Sequence, residues 1–197
     1  MPNYPPGNWK KQSKTDDSTI LKLVYIGSLG LESSYLREVI AWINKHQESI
    51  TLDIYSFNIK EDALNLILKC NTGNIRYKGY YNYFEMPDFL KNYHCGLVLY
   101  KPETFNYLYN APNKLFEYLA CGLDVLIPDT MLYAQKYINH ELIPRVFSID
   151  FMNLENVDIA SLLKKKNLPE SHSTYISEMV YAEMLNDIQV FQRNIHD

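Results

Sequence analysis

The sequence predicts an α/β domain built on a Rossmann-like parallel sheet of about six strands, with helices on both faces. Apolar runs of strand length alternate with segments of helical periodicity along most of the chain. Residues 112–128 show one complete unit, a capped helix followed by a glycine and an apolar strand, as in a parallel α/β layer. The chain of 197 residues is long enough to bury one good core.

The individual elements follow from these patterns. Strands are predicted at residues 21–26, 51–57, 74–78, 95–100, 123–127 and 145–149. Helices are predicted at residues 33–44, 61–69, 87–93, 112 or 113 to 121, and near 132–138. Apolar residues then recur at spacings of three and four, which predicts one long amphipathic C-terminal helix, at Ile176, Val180, Met184, Ile188 and Phe191.

The two ends of the chain suggest its domain organisation. Residues 1–19 include a proline-rich stretch and are predicted to be an extended linker. Residues 20–197 then form the folded domain, with the long helix at its end.

Composition excludes several classes of protein. The formal charge of -4 and the lack of a dense Lys/Arg stripe argue against nucleic-acid binding. No run approaches the roughly 18 apolar residues that a membrane span needs, and the start lacks a signal-peptide apolar region. The three cysteines are widely spaced and without a CxxC pair, which fits reduced thiols. We therefore expect a soluble, cytoplasmic protein.

The helix after residue 112 is predicted to have two different faces. At about 100° per residue, one arc is apolar and carries Leu115, Phe116, Leu119 and Ala120. The opposite arc is predicted to be available for chemistry and carries Lys114, Glu117, Tyr118 and Cys121. Pro112 or Asn113 begins the helix, and Gly122 ends it in a left-handed conformation.

The string PNKLFEYLACG at residues 112–122, followed by an apolar strand, resembles a known signature. It is similar to the donor-binding motif of GT-B glycosyltransferases, of the large retaining bacterial family (group 1, family 4 type). The resemblance covers residues 20–195, about the C-terminal half of such an enzyme. It implies that Glu117 accepts hydrogen bonds from the ribose hydroxyls of a nucleotide sugar. The turn and helix start at Pro112, Asn113 and Lys114 would lie beside the diphosphate.

The chemistry of Glu117 agrees with this implication. An ionised carboxylate only accepts hydrogen bonds and can take two hydroxyl donors at once, as a ribose diol provides. The alternative is that Glu117 is an acid in the first turn of the helix, stabilised by the helix dipole and paired with Lys114, three residues earlier.

A glycine-containing turn follows the first predicted strand. Gly27, Ser28, Leu29 and Gly30 stand where a phosphate-binding loop would lie, although a plain strand-to-helix turn has the same pattern. The chain departs here from the family, whose members usually carry an arginine after the first glycine and a lysine five residues later. This chain has Ser28 and Ser33 instead, so Lys114, Lys60 or another domain would have to supply the charge.

Other parts of the expected site are less specific. Residues 101–110 form a predicted loop that includes Asn110 and would shape donor choice. Many relatives place an acid eight residues before the ribose glutamate, where this chain has Tyr109, with Glu103 six residues further back. Tyr80 and Tyr81 fall where relatives hold the nucleobase, although tyrosines also commonly cover surfaces. The five histidines are scattered without metal-ligand spacing, mostly as expected surface residues, and no metal site is predicted.

Two functions from different classes follow. The first is the donor-binding domain of a hexosyltransferase, for example in polysaccharide biosynthesis, with a nucleoside-diphosphate sugar, expected to be a UDP sugar, as ligand and no other cofactor. A separate N-terminal domain would hold the acceptor and make any peripheral membrane contact, so this chain would be inactive alone and its catalytic residues are unknown. The second is a non-catalytic binding module on the same scaffold, and a sugar-nucleotide epimerase is a more distant third.

Overall fold

The computed structural model describes residues 4–9, 18–70, 73–164, 168–169, 175–182, 184, 186 and 188. One six-stranded sheet organises them, and all of its pairings are parallel, in the order β3-β2-β1-β4-β5-β6. The strands are β1 (Leu21–Ile26), β2 (Ile50–Tyr55), β3 (Ile75–Gly79), β4 (Cys95–Leu97), β5 (Asp124–Pro128) and β6 (Val146–Ile149). The predicted α/β fold is confirmed.

Helices cover both faces of the sheet, as predicted. They are α1 (Leu36–Lys45), α2 (Glu61–Lys69), α3 (Met86–Leu90), α4 (Phe105–Tyr109), α5 (Asn113–Ala120), α6 (Ile159–Leu163) and α7 (Ser177–Val180). Short 3-10 helices add Gly7–Trp9, Tyr83–Glu85, Ala134–Tyr137 and Leu154–Asn156. Side chains of α1, α2 and α6 form one apolar core with the sheet, and α3 and α5 form the other. No helix in the described part of the chain is long and apolar enough to cross a membrane.

The strand order reverses direction between β1 and β4. From β1 the chain proceeds to β2 and β3 on one side, and then returns to place β4 on the other side of β1. The loops after β1 and β4 therefore diverge and leave a crevice at the carboxyl ends of the strands, where ligands of such sheets bind.

Several elements differ from the sequence-based expectation. Strand β4 ends at Leu97 rather than at residue 100, and the helix predicted near 132–138 is the 3-10 helix Ala134–Tyr137. Helix α1 begins at Leu36 rather than at residue 33, because Tyr35 N–H donates to the Leu99 carbonyl and Ser33 accepts from Lys101 N–H. These bonds hold residues 33–35 against the chain that follows β4. The predicted loop at 101–110 contains helix α4, whose first turn is capped by the Thr104 hydroxyl.

The described part of the predicted N-terminal linker packs on the domain. Trp9 is buried in the same core as α5. The Gly7 amide donates to the Glu178 carboxylate (2.7 Å), and the Ser177 amide donates to the Pro5 carbonyl (2.9 Å). Residues 4–9 and the start of α7 therefore hold each other in place. Ala182, Met184, Asn186 and Ile188 continue as helix, whereas Phe191 of the predicted C-terminal helix lies outside the described residues.

Gly96 in β4 has no space for a side chain. A Cβ atom there would lie 2.3 Å from the ring of Tyr118, which is fully buried. We expect Gly96→Ala to lower the free energy of unfolding by about 1–3 kcal/mol, because neither the central strand nor the ring can move aside easily. Urea denaturation measures this loss. An unchanged urea midpoint would contradict this contact. So would a double variant, Gly96→Ala with Tyr118→Leu, whose loss in free energy of unfolding equals the sum of the two single losses.

Candidate functional site

Two adjacent cavities lie in the crevice at the carboxyl ends of β1 and β4. One has a volume of about 290 Å³ and is called here the Glu117 cavity; the other, of about 310 Å³, is called the Lys60 cavity. Both are lined by Ser28, Tyr100 and Lys114. The two cavities therefore meet at the side chain of Lys114 and the turn after β1.

Most of the predicted site residues line these cavities. The Glu117 cavity is lined by Ile26, Gly27, Ser28, Phe57, Tyr81, Tyr100, Asn110, Pro112, Asn113, Lys114 and Glu117. The Lys60 cavity is lined by Tyr25, Ser28, Leu29, Gly30, Ser33, Ser34, Asn58, Lys60, Tyr100, Tyr107 and Lys114. The fold thus brings together segments that are far apart in the sequence.

Glu117 is buried, with 8% of its surface exposed, yet it lines an open cavity. Its Oε1 accepts a hydrogen bond from the Tyr83 hydroxyl (3.3 Å). Burial raises the pKa of the Glu117 carboxyl, while the charge of Lys114 and the Tyr83 hydrogen bond act in the opposite direction. Glu117 lies in the second turn of α5, so the dipole alternative, which suits a first-turn acid, does not explain why the carboxylate is buried.

Lys114 is held by aromatic side chains. Its Nζ donates to the Tyr100 hydroxyl (2.9 Å) and lies 5.0 and 5.6 Å from the ring centres of Tyr100 and Tyr25. Burial alone would lower the pKa of Lys114, but the oxygens of Tyr25 and Tyr100 and the Glu117 carboxylate outweigh burial and raise it. The Nζ atom is therefore held between the two cavities by its hydrogen bond to Tyr100 and its contacts with the two rings.

Gly27 allows Lys114 to occupy this position. Its φ of +124° lies in a region that side chains other than glycine rarely adopt. A Cβ atom at this position would lie 2.6 Å from both Cε and Nζ of Lys114. Glycine is required here for the backbone conformation and for the close approach of the cation.

Gly30 and Leu29 have different roles in the Lys60 cavity. The Leu29 side chain belongs to the core, and its backbone bonds to Asn58 and Lys60 join the turn to the segment after β2. The Lys60 chain crosses Gly30 so closely that a Cβ there would lie 2.9 Å from Lys60 Cδ. The turn after β1 is therefore held beside Lys60, a second cation in addition to Lys114.

Some predicted residues lie elsewhere. Tyr80 is 77% exposed, lines neither cavity, and stacks on Tyr81 with ring centres 6.2 Å apart. Glu103 is also exposed and lines neither cavity. The expectation that Tyr118 and Cys121 share a chemical face with Glu117 was wrong, because both are fully buried. The Tyr118 hydroxyl instead accepts a hydrogen bond from the Ile26 amide (3.0 Å), which ties α5 to β1.

Sequence reasoning missed several lining residues. Phe57 and Asn58 follow β2, and Tyr100 follows β4. Tyr107, which also lines the Lys60 cavity, belongs to the loop predicted at 101–110. No local motif marks Phe57, Asn58 and Tyr100, and only their position at the carboxyl ends of the predicted strands could have indicated them. Among the histidines, His94 is buried rather than on the surface, and its Nδ1 accepts a hydrogen bond from the Lys22 amide (2.9 Å). Within the described ranges, no three His, Cys, Asp or Glu side chains are grouped as a metal site.

Comparison with known proteins identifies the fold. No protein-family model and no curated protein sequence matches the chain. Among solved structures, it is similar to AviGT4, a glycosyltransferase involved in avilamycin A biosynthesis (TM-score 0.64, 13% identity, 100% of this chain and 58% of that one). It is also similar to Anabaena Alr3699/HepE in complex with UDP and glucose (TM-score 0.62, 11% identity, 95% of this chain and 55% of that one). A third similar structure is the lipopolysaccharide outer core galactosyltransferase WaaB (TM-score 0.61, 13% identity, 95% of this chain and 54% of that one).

These similarities show that the chain has the fold of one half of a GT-B glycosyltransferase. The family resemblance read from residues 112–122 is confirmed at the level of the fold. The chain spans little more than half the length of the three structures described above.

Proposed function

We propose that this domain binds a nucleoside-diphosphate sugar, expected to be a UDP sugar, as the donor for glycosyl transfer. The observation that carries the proposal is the buried carboxylate of Glu117, which lines an open cavity next to the fixed ammonium of Lys114 and the left-handed turn at Gly27. This combination lies at the switch point of a doubly wound sheet, where such folds bind nucleotides.

Glu117 is suited to the ribose. Burying an ionised carboxylate is costly unless hydrogen-bond donors surround it, and Tyr83 supplies one such donor. A vicinal diol supplies two further hydroxyl donors to an acceptor-only group. A ribose in the Glu117 cavity would therefore complete the hydrogen bonding of a carboxylate that the fold has partly desolvated.

Lys114 and the turn after β1 are suited to the diphosphate. Lys114 lies between the two cavities, near the first residue of α5, where the helix dipole also favours an anion. Ser28 and Ser33 line the Lys60 cavity at positions where relatives carry cations, and Lys60 lines it as well. We propose that Lys60 supplies part of the charge that those two serines lack.

The nucleobase would contact aromatic side chains of this domain, and the acceptor would bind elsewhere. Phe57 and Tyr81, whose ring centres lie 6.0 Å apart, form an aromatic wall of the Glu117 cavity that a nucleobase can contact. The chain is about half the length of similar glycosyltransferases, so the acceptor and the catalytic groups would come from another domain. We expect this chain to bind its donor without turnover.

Lys114→Met tests the assignment of the diphosphate. We expect UDP affinity to fall about 10-fold or more, because a charge-assisted contact to phosphate is lost, while uridine affinity changes less than about twofold. Calorimetric titration measures both affinities. Lys136→Met is the matched control, since it removes an exposed cation that lies over Tyr133 outside both cavities. Equal losses for UDP and uridine would contradict the assignment.

One observation favours the second candidate, a non-catalytic module. Ser28 and Ser33 leave the turn after β1 with fewer charges than catalytically competent relatives have at these positions. Titration of UDP, ADP and GDP separates the two functions. Binding of any of them supports the donor domain, and the absence of binding to all three supports the module.

A further inference from the structure

We infer that Tyr83 is a positioning residue for Glu117 and that Trp9 holds Tyr83 in place, so that residues 4–9 support the nucleoside-binding site from outside its lining. This inference rests on the proposed function and assigns a role in it to a segment outside the α/β layer. Its basis is a chain of contacts that begins at the carboxylate and ends at the start of the described chain.

The first contact joins Tyr83 to Glu117. The Tyr83 hydroxyl donates to Oε1 of Glu117 across 3.3 Å, a long hydrogen bond that comes from a different segment of the fold. A donor on one oxygen restricts rotation of the carboxylate and directs its remaining lone pairs.

The second contact joins Trp9 to Tyr83. Trp9 is 3% exposed, and its ring centre lies 4.8 Å from that of Tyr83 at an interplanar angle of 47°. Tyr83 itself is 43% exposed and lies in a short 3-10 helix after β3. The 3-10 helix that carries Tyr83 leaves its ring partly exposed to solvent, and Trp9 packs against that ring.

The third set of contacts fixes Trp9. The Trp9 amide donates to the Pro6 carbonyl (3.0 Å), which closes a 3-10 turn. That turn is bonded to α7 through the Gly7 amide and the Glu178 carboxylate. Residues 4–9 are thus attached to the body of the domain at Tyr83, at α7 and at the core around α5.

The Tyr83 hydrogen bond also leaves a titration signature. It lowers the pKa of the Glu117 carboxyl and so opposes the effect of burial. Loss of the hydroxyl should raise that pKa further. As the pH falls, the carboxylate would then become protonated earlier than in the wild type. Nucleoside binding requires the ionised form as acceptor, so the loss of binding on acidification would also begin at a higher pH than in the wild type.

The test compares Tyr83→Phe with Tyr77→Phe. Tyr77 also donates its hydroxyl, to the Ser56 carbonyl (3.1 Å), but its ring packs on the opposite face of the sheet from α5. Two quantities are measured in each variant: the pKa of Glu117, by NMR of ¹³C-labelled carboxyl groups assigned with Glu117→Gln, and the affinity for uridine across the pH range.

Tyr83→Phe should raise the pKa of Glu117 and weaken uridine binding about 3- to 10-fold at neutral pH. It should also raise the pH at which uridine affinity is lost on acidification. Trp9→Leu should weaken binding in the same direction, and Tyr77→Phe should match the wild type. The inference is overturned if Tyr83→Phe behaves as Tyr77→Phe does in pKa or in affinity. A wild-type protein that binds no nucleoside or nucleotide overturns the proposed function itself, and the inference with it.

Discussion

Glu117→Ala is expected to weaken UDP binding at least about 100-fold, which corresponds to about 3 kcal/mol. The substitution removes the acceptor of two ribose hydroxyl hydrogen bonds, each charge-assisted and formed in a partly desolvated cavity. Isothermal titration calorimetry measures the affinity. A loss below about threefold would mean that the ribose does not contact this carboxylate.

Glu117→Gln separates binding from folding. The folded-state pKa of Glu117 is raised, so its contribution to stability is present at low pH and is lost as the pH rises through the folded-state pKa. The neutral amide avoids this loss. We therefore expect the glutamine variant to be at least as stable as the wild type at neutral pH, with weaker UDP binding. A clear fall in its free energy of unfolding would indicate that Glu117 serves the fold instead.

Arg145→Met is expected to lower the free energy of unfolding by about 3–5 kcal/mol. The Arg145 guanidinium forms two hydrogen bonds to Asp124 Oδ2, from Nε (3.0 Å) and Nη2 (2.7 Å), and both side chains are buried. It also donates to the carbonyls of Ser161, Leu162 and Lys164 at the end of α6. The substitution leaves a fully buried carboxylate without its guanidinium and the end of a helix without its donors. Urea denaturation measures the loss.

Lys45→Met is the matched control for this prediction. It breaks an exposed ion pair with Glu155 (3.0 Å), which is expected to contribute no more than about 1 kcal/mol. Adding Asp124→Leu to Arg145→Met should recover part of the stability, because the uncompensated charge is removed. A loss for Arg145→Met no larger than that for Lys45→Met would contradict the role of this pair in attaching α6 to the sheet.

The sequence was most informative where a local pattern determines the structure. All six strands were predicted to within a few residues. The apolar runs marked β1, β4 and β5 most clearly, because strands buried on both faces must be apolar, whereas β3 exposes Arg76 and Lys78. Gly122 was expected to end its helix in a left-handed conformation, and its φ is +78°. Pro112 precedes the first residue of α5, as one of the two predicted starts requires.

The sequence was less informative where contacts join distant segments. The two-faced interpretation of α5 assumed that one side of the helix meets solvent, whereas Tyr118 packs under Gly96 and bonds to β1. The start of α1 depends on hydrogen bonds between residues 33–35 and the chain after β4, which no local propensity contains. Phe57 reaches the Glu117 cavity only because β2 pairs with β1. Strand order therefore determines which residues meet at the site.

The most direct test of the central claim is a calorimetric titration of UDP into the wild-type chain and into Glu117→Gln. We predict saturable binding of one UDP per wild-type chain and a large loss of affinity in the variant, which retains its fold. No binding of UDP, ADP or GDP to a folded wild-type chain, or equal UDP affinity in the two proteins, would contradict the claim that Glu117 binds the ribose of a nucleotide donor.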